Sequence, residues 1–274
     1  MNKRFIIILV LTALAIILLS SVVRNAALKR SVRRVNRIDS ENKQSLLSLA
    51  KNFEVEKDYL KTKKTLKKFI ERSPYSNSVA KIQKDIENLN IKILFSDCLT
   101  EDSLSYKIQR GDTLAKIASK FNTTVELLKK SNNLKSDLIL PGKSLKVNKA
   151  KFSILVDKSE NELTLKKSGG EIVKTYRVST GENFSTPIGT FKIEEKLISP
   201  VWYKVGAIVE PDSPEYALGS RWMGLSASGY GIHGTKDASS IGKHITKGCV
   251  RMRNEEVEEL YAIIPAGIEV VITE

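Results

Sequence analysis

The stretch Tyr230 to Met252, YGIHGTKDASSIGKHITKGCVRM, holds both histidines of a 274-residue chain, His233 and His244, and one of its two cysteines, Cys249. A lysine-rich chain that gathers its scarce histidine and cysteine in one short segment points to thiol chemistry there. A thiol becomes a useful nucleophile once it is deprotonated and a nearby base can shuttle its proton. Gly248 precedes the cysteine without a side chain, so another group can approach the backbone closely. Main-chain N–H groups near a nucleophile stabilise a developing oxyanion, typically by a few kcal/mol. Lys247 and Arg251 add positive potential, which is expected to lower the thiol pKa. These features suit attack on a carbonyl.

Two histidines compete for the role of base. His233 ends an apparent strand, GYGIH, just before Gly234, and a strand end holds a side chain rigidly at a domain edge. His244 lies nearer to Cys249 in sequence, in a polar loop beside Lys243. Rigidity favours His233 and proximity favours His244.

Outward from this stretch the C-terminal region reads as β-rich. FSILV, ELTLKK and EIVKTYRVS, from Phe152 on, form an antiparallel meander separated by DKSEN and SGG. TFKIEEKL adds a strand after the Thr186–Gly189 turn, and IEVVIT closes the sheet. One helix precedes it. Asn254 is its expected cap, Glu255 and Glu256 favour its N-terminus, and Val257, Leu260, Tyr261 and Ile264 face inward. Pro265 and Gly267 end it. Trp202, Tyr203, Trp222 and Met223 read as packing or cleft lining. No phosphate loop or metal-ligand spacing occurs, so neither a cofactor nor a metal is called for.

The order His233-Gly234-Thr235, Ser240-Ile241-Gly242, Thr246-Lys247-Gly248-Cys249-Val250-Arg251-Met252 resembles the catalytic signature of L,D-transpeptidases with YkuD-like domains. STGENFSTPIGTF (Ser179 to Phe191) and LGSRWMGL (Leu218 to Leu225) extend the likeness upstream. Two positions depart from it: Lys247 stands where many members have histidine, and Thr246 where serine is common. The resemblance implies a β-sandwich with a short helix over 151–274. It implies that Cys249, activated by His233, attacks the carbonyl of the third residue in a peptidoglycan tetrapeptide stem and releases D-alanine. The thioacyl-enzyme then passes its acyl group to an amine of a neighbouring stem. Gly248, with Thr246, Arg251 and Gly234, would form the oxyanion and substrate side, Arg251 either holding a substrate carboxylate or ordering the loop. The same fold with water as acceptor would be an L,D-carboxypeptidase or endopeptidase, and an inert thiol would leave a non-enzymatic cell-wall-binding protein.

Residues 104–148 read as a separate small β-α-α-β unit. YKI is a strand, Asp112 or Thr113 caps a helix carrying Leu114, Ile117 and Ala118, TVELLKKSN is a second helix, and SLKV follows the Pro141-Gly142 turn. Gly111-Asp112-Thr113-Leu114, Ile117-Ala118, Asn132-Asn133 and Pro141-Gly142 resemble a LysM module, which implies binding to N-acetylglucosamine-containing glycan strands through the loops after the first strand and before the second.

The N-terminal region is the most basic. The chain carries a net charge of +14, and residues 24 to 75 hold 15 Lys and Arg against 6 Asp and Glu. Without zinc-finger spacing, an RNP-like run or a homeodomain pattern, this excess gives no support for nucleic acid as a partner. Residues 24–100 are predicted to be a basic helical spacer resembling a single tetratricopeptide pair, a possible docking site for a protein. Phe5 to Val23 is a charge-free run of 19 residues, about 28 Å as a helix, which reads as an uncleaved signal anchor over 1–23. Arg24, Lys29, Arg30, Arg33, Arg34 and Arg37 follow it, and charge counting alone would keep the rest of the chain cytoplasmic. The chemistry implied above places the catalytic domain outside the membrane, in the cell envelope. Cys98 has no assigned role; a bond to Cys249 would silence the nucleophile.

Overall fold

The computed structural model describes residues 29–31, 41–204 and 207–274. The expected anchor over 1–23 and Arg24, Arg33, Arg34 and Arg37 of the basic stretch lie outside the described residues. Among the described residues no helix is long and apolar enough to cross a membrane. The chain divides into two units, Met1–Ile82 and Gln83–Glu274.

The described residues of the first unit are mostly helical, as the apolar spacing predicts. Helix α1 covers 41–55, and α2 (Tyr59–Arg72) starts where the Asp58 carboxylate accepts from the Lys61 N–H. Leu66 and Phe69 recur at helical spacing and are buried. Helix α3 (Val79–Leu94) runs across the division into the second unit.

Within the second unit, the end of α3 belongs to the core of the C-terminal domain. Ile91 and Leu94 pack into that core, and the Asn90 amide donates to the Val173 carbonyl at 2.8 Å. The small β-α-α-β unit follows as expected. Strands β1 (Ser103–Lys107) and β2 (Ser144–Asn148) pair antiparallel, with helices α4 (Leu114–Phe121) and α5 (Val125–Ser131) between them in sequence. Thr113 and Thr124 cap the two helices, each hydroxyl accepting a backbone N–H from the first turn. Ile108, Leu114, Ile117, Ala118, Leu128, Leu145 and Val147 form its core. Two polar contacts fasten this unit to its neighbours. The Thr124 hydroxyl donates to the Ala262 carbonyl, and the buried Lys146 ammonium donates at 2.7 Å to the carbonyls of Ile93 and Ser96 at the end of α3. Burial of that amine lowers its pKa to about 8.

The C-terminal domain contains β3 (Phe152–Asp157), β4 (Glu162–Lys167), β5 (Ile172–Arg177), β6 (Thr180–Gly181), β7 (Gly189–Ile198), β8 (Trp202–Lys204), β9 (Ala207–Val209), β10 (Arg221–Leu225), β11 (Gly231–His233), β12 (His244–Thr246), β13 (Val250–Arg251), helix α6 (Asn254–Ile263) and β14 (Glu269–Thr273). Alternation sets the buried face: Phe152, Ile154 and Val156 of β3 point inward, as do Val270 and Ile272 of β14. Each such side chain contributes about 1.5–3 kcal/mol of burial.

The sandwich expected from the resemblance is instead one eight-stranded sheet in the order β13-β11-β10-β7-β14-β3-β4-β5. The ten-residue β7 is the reason. Its residues 189–192 pair with β14 and its residues 193–198 pair with β10, so both halves hang on one strand. The β3-β4-β5 meander is antiparallel as read, but β14–β3 and β11–β13 are parallel. The Asn254 cap also needs correction. Arg253 holds the cap position, and the Asn254 side chain accepts from the Ser220 N–H at 3.0 Å, tying α6 to the segment before β10.

Candidate active site

Parallel pairing of β11 and β13 assembles the site. Ile232 lies opposite Val250 and His233 opposite Arg251, so the residue before β13, Cys249, emerges beside the start of β11. The Met252 N–H donates to the His233 carbonyl at 2.8 Å and closes this register. Arg251 is also bonded on its other side, exchanging both backbone bonds with Ser179 at 2.8 Å. Neither cysteine is in a disulfide.

The His233 ring is 4% exposed, and its Nδ1 lies 2.7 Å from the Gly234 carbonyl oxygen. A carbonyl can only accept, so Nδ1 carries the proton and the lone pair sits on Nε2. That is the tautomer a general base requires, oriented by a third group, here a backbone oxygen. Burial drives the pKa of the ring down to about 4; the Gly234 bond opposes this and the Arg251 charge adds to it. The imidazole is therefore neutral at pH 7.

Cys249 is half-buried, with its thiol 3.8 Å from the Gly229 carbonyl. Its pKa does not fall as its basic neighbours suggest. Burial raises it, outweighing a hydrogen bond from the Gly231 backbone N–H and the charge of Arg251. Thiol and imidazole are thus both uncharged at rest.

The turn before the nucleophile is braced from within. The Thr246 hydroxyl donates to the Cys249 carbonyl at 2.6 Å and accepts from the Gly248 N–H at 3.2 Å. Gly248 has φ +119°, and a Cβ there would come within 2.5 Å of the Tyr230 ring and 3.1 Å of the Ser185 carbonyl. Only glycine fits. The Gly248 N–H expected at the oxyanion is thereby bonded to Thr246. Of the named residues, Cys249, His233, Gly234, Thr246, Gly248 and Arg251 all converge here. The Arg251 Nε is buried and has no hydrogen-bond partner among the described residues.

His244 is elsewhere and otherwise employed. It lies in β12, paired with β6, and not in a loop. Its Nδ1 is 2.8 Å from the Thr180 hydroxyl and its Nε2 is 3.1 Å from the Asn161 amide nitrogen. The Thr180 hydroxyl donates to the Asn161 oxygen at 2.9 Å, so the three side chains close a ring of hydrogen bonds. Asn161 and Thr180 escaped the sequence reading, as did Tyr230. Thr180 lay inside a quoted motif, but no local pattern signals a partner 64 residues away.

The family model for the L,D-transpeptidase catalytic domain matches residues 151–272, and that for the LysM domain matches residues 106–148. YqjB of Bacillus subtilis, named for L,D-transpeptidase activity, is 39% identical over 127 residues, covering 44% of this chain and 70% of that protein. YkuD of the same organism, named likewise, is 34% identical over 177 residues, covering 62% of this chain and 98% of that protein. The thiol, its neutral histidine and the small β-α-α-β unit upstream therefore sit in a chain that belongs to the L,D-transpeptidase family of YkuD-type catalytic domains.

Proposed function

We propose that this protein cross-links peptidoglycan stems through a thioacyl-enzyme on Cys249. The observation that carries the reading is the His233 tautomer. With Nδ1–H held by the Gly234 carbonyl, Nε2 is free to accept the thiol proton as sulfur attacks the carbonyl of the third stem residue. The carbon–sulfur bond forms, the tetrahedral oxyanion collapses, and the bond to the terminal D-alanine breaks. His233 returns the proton to the departing amine. An amine of a second stem then attacks the thioester, His233 takes its proton, and the Cys249 sulfur leaves. The unpartnered Nε of Arg251 supports a role for its guanidinium in holding a substrate carboxylate. Thr246 serves by fixing the turn.

The LysM unit supports glycan strands as the second ligand. Tethering it to the same chain raises the local concentration of stems around the thiol. Catalysis then lies on the outer face of the membrane, with the apolar run Phe5 to Val23 as anchor.

Incubating the purified protein and its Cys249→Ala variant with tetrapeptide muropeptides, followed by mass spectrometry, tests this. Cross-linked dimers short of one D-alanine, absent with Cys249→Ala, establish the transpeptidase. Monomers trimmed to tripeptides make it a carboxypeptidase. Intact stems with bound glycan leave a wall-binding protein.

A further inference from the structure

Trp222 lies directly opposite His233 in the β10–β11 register, and the two rings stack with centroids 5.9 Å apart at 25°. The indole also covers the backbone of β11. A Cβ on Gly231 would lie 2.5 Å from the Trp222 Cη2 and 2.6 Å from its Cζ2, so the ring rests on Gly231, the residue before the Ile232–Val250 pair. One side chain thus touches His233 and the backbone beside the strand that follows Cys249. The indole is itself held: it packs with Val209, Tyr216 and Leu218, and Trp202 joins the same cluster from β8. The Tyr216 hydroxyl anchors that cluster by donating to the Pro200 carbonyl at 2.7 Å.

We infer that Trp222 is a positioning residue of this site, its indole clamping the His233 ring in the orientation fixed by Gly234 while shielding it from water. The inference rests on the proposed chemistry for its kinetic consequence, and on geometry alone for its effect on the ring. An imidazole free to rotate about its bonds would present Nε2 in line with the thiol only part of the time, so kcat falls while substrate affinity stays. Water admitted to the ring face would solvate the imidazolium and raise the titration midpoint of His233 from its low value. The charge acting on that ring is Arg251 on β13, with Asp237 next to Arg251, and neither is altered by changes at Trp222.

The experiment compares full-length protein with Trp222→Ala, Trp222→Leu and Trp222→Phe. NMR titration of the two histidine rings needs no substrate; kinetics on tetrapeptide stems give kcat and KM separately. Expected for Trp222→Ala are an upward shift of the His233 midpoint by about one pH unit and a kcat loss of about tenfold or more. KM should stay within about twofold, and Trp222→Phe should restore most of the rate. If the alanine variant does not fold, the leucine variant, which fills the space without an aromatic face, gives the same reading. An unmoved His233 midpoint with unchanged kcat in a folded variant overturns the inference, as does a change in KM alone. If the wild-type protein turns over no stems, the proposed function fails, and the ring titration still decides the role of Trp222.

Discussion

The two histidines of this chain sit eleven residues apart and live under opposite regimes. His233 is buried on β11, keeps one nitrogen bonded to a backbone oxygen, and leaves the other with its lone pair. His244 is exposed on β12 and spends both nitrogens on Thr180 and Asn161. A base needs a nitrogen that the protein has left unused and an environment that keeps it neutral. Proximity in sequence does not fix which ring keeps an unused nitrogen, because strand register and local hydrogen-bond partners decide that. The largest expected effects break this contrast at its centre. Cys249→Ala should abolish product formation, and His233→Ala should lower turnover by roughly 10³-fold or more. Measured on tetrapeptide stems, a His233→Ala variant within tenfold of wild type would remove the ring from the mechanism.

The burial of His233 carries a second consequence, one of stability. Its folded pKa of about 4 lies below the ordinary 6.5, so between these values the unfolded chain binds the proton and the folded chain does not. Folding stability therefore falls as the pH drops from about 6.5 to about 4, by roughly 3 kcal/mol at about 1.4 kcal/mol per unit. Denaturant titrations across this window, repeated on His233→Gln, check it. The variant should lose most of the slope. Equal slopes in wild type and His233→Gln would place the acid sensitivity on other groups.

Thr246 gives a smaller effect on the nucleophile side. Its hydroxyl makes two bonds that set the Gly248–Cys249 turn, and Thr246→Val keeps the shape while deleting both. The expected cost is about 1–2 kcal/mol in stability, with a loss of turnover of about tenfold or more. Thr246→Ser should restore the rate to within about threefold, since serine supplies the same hydroxyl. Thermal melts and initial rates together separate a slack turn from an unfolded one.

How legible this was in the residues differs by region. Strands β3 and β14 alternate cleanly, and helices α4 and α5 carry threonine caps, so local chemistry suffices for them. Cys249, His233 and Gly248 stood out because rare residue types shared one short segment. Three things did not show. The single sheet hides in the length of β7, whose two halves serve different partners. The group that holds the His233 Nδ1 is the carbonyl oxygen of Gly234, and any residue type carries one. The raised thiol pKa depends on burial, whereas counting Lys247 and Arg251 sees only charge. Asn254 misled for a related reason: its side chain suits a cap, but the Ser220 N–H reaches it first.

The smallest change tests the contrast from the His244 side. His244→Ala opens the ring of hydrogen bonds with Thr180 and Asn161. Asn161 is nearly buried at 4% exposure and Thr180 fully so at 0%, and they keep one bond to each other, so neither loses every partner. The expected cost is therefore near that of a single bond, about 1 kcal/mol. Because β12 leads into Thr246 and the nucleophile turn, some looseness reaches Cys249, and turnover should drop by less than about tenfold. Turnover and melting temperature measured side by side decide the matter. A folded His244→Ala variant as inactive as His233→Ala would mean that the closed ring opens during the reaction and that the exposed histidine is the one that moves the proton.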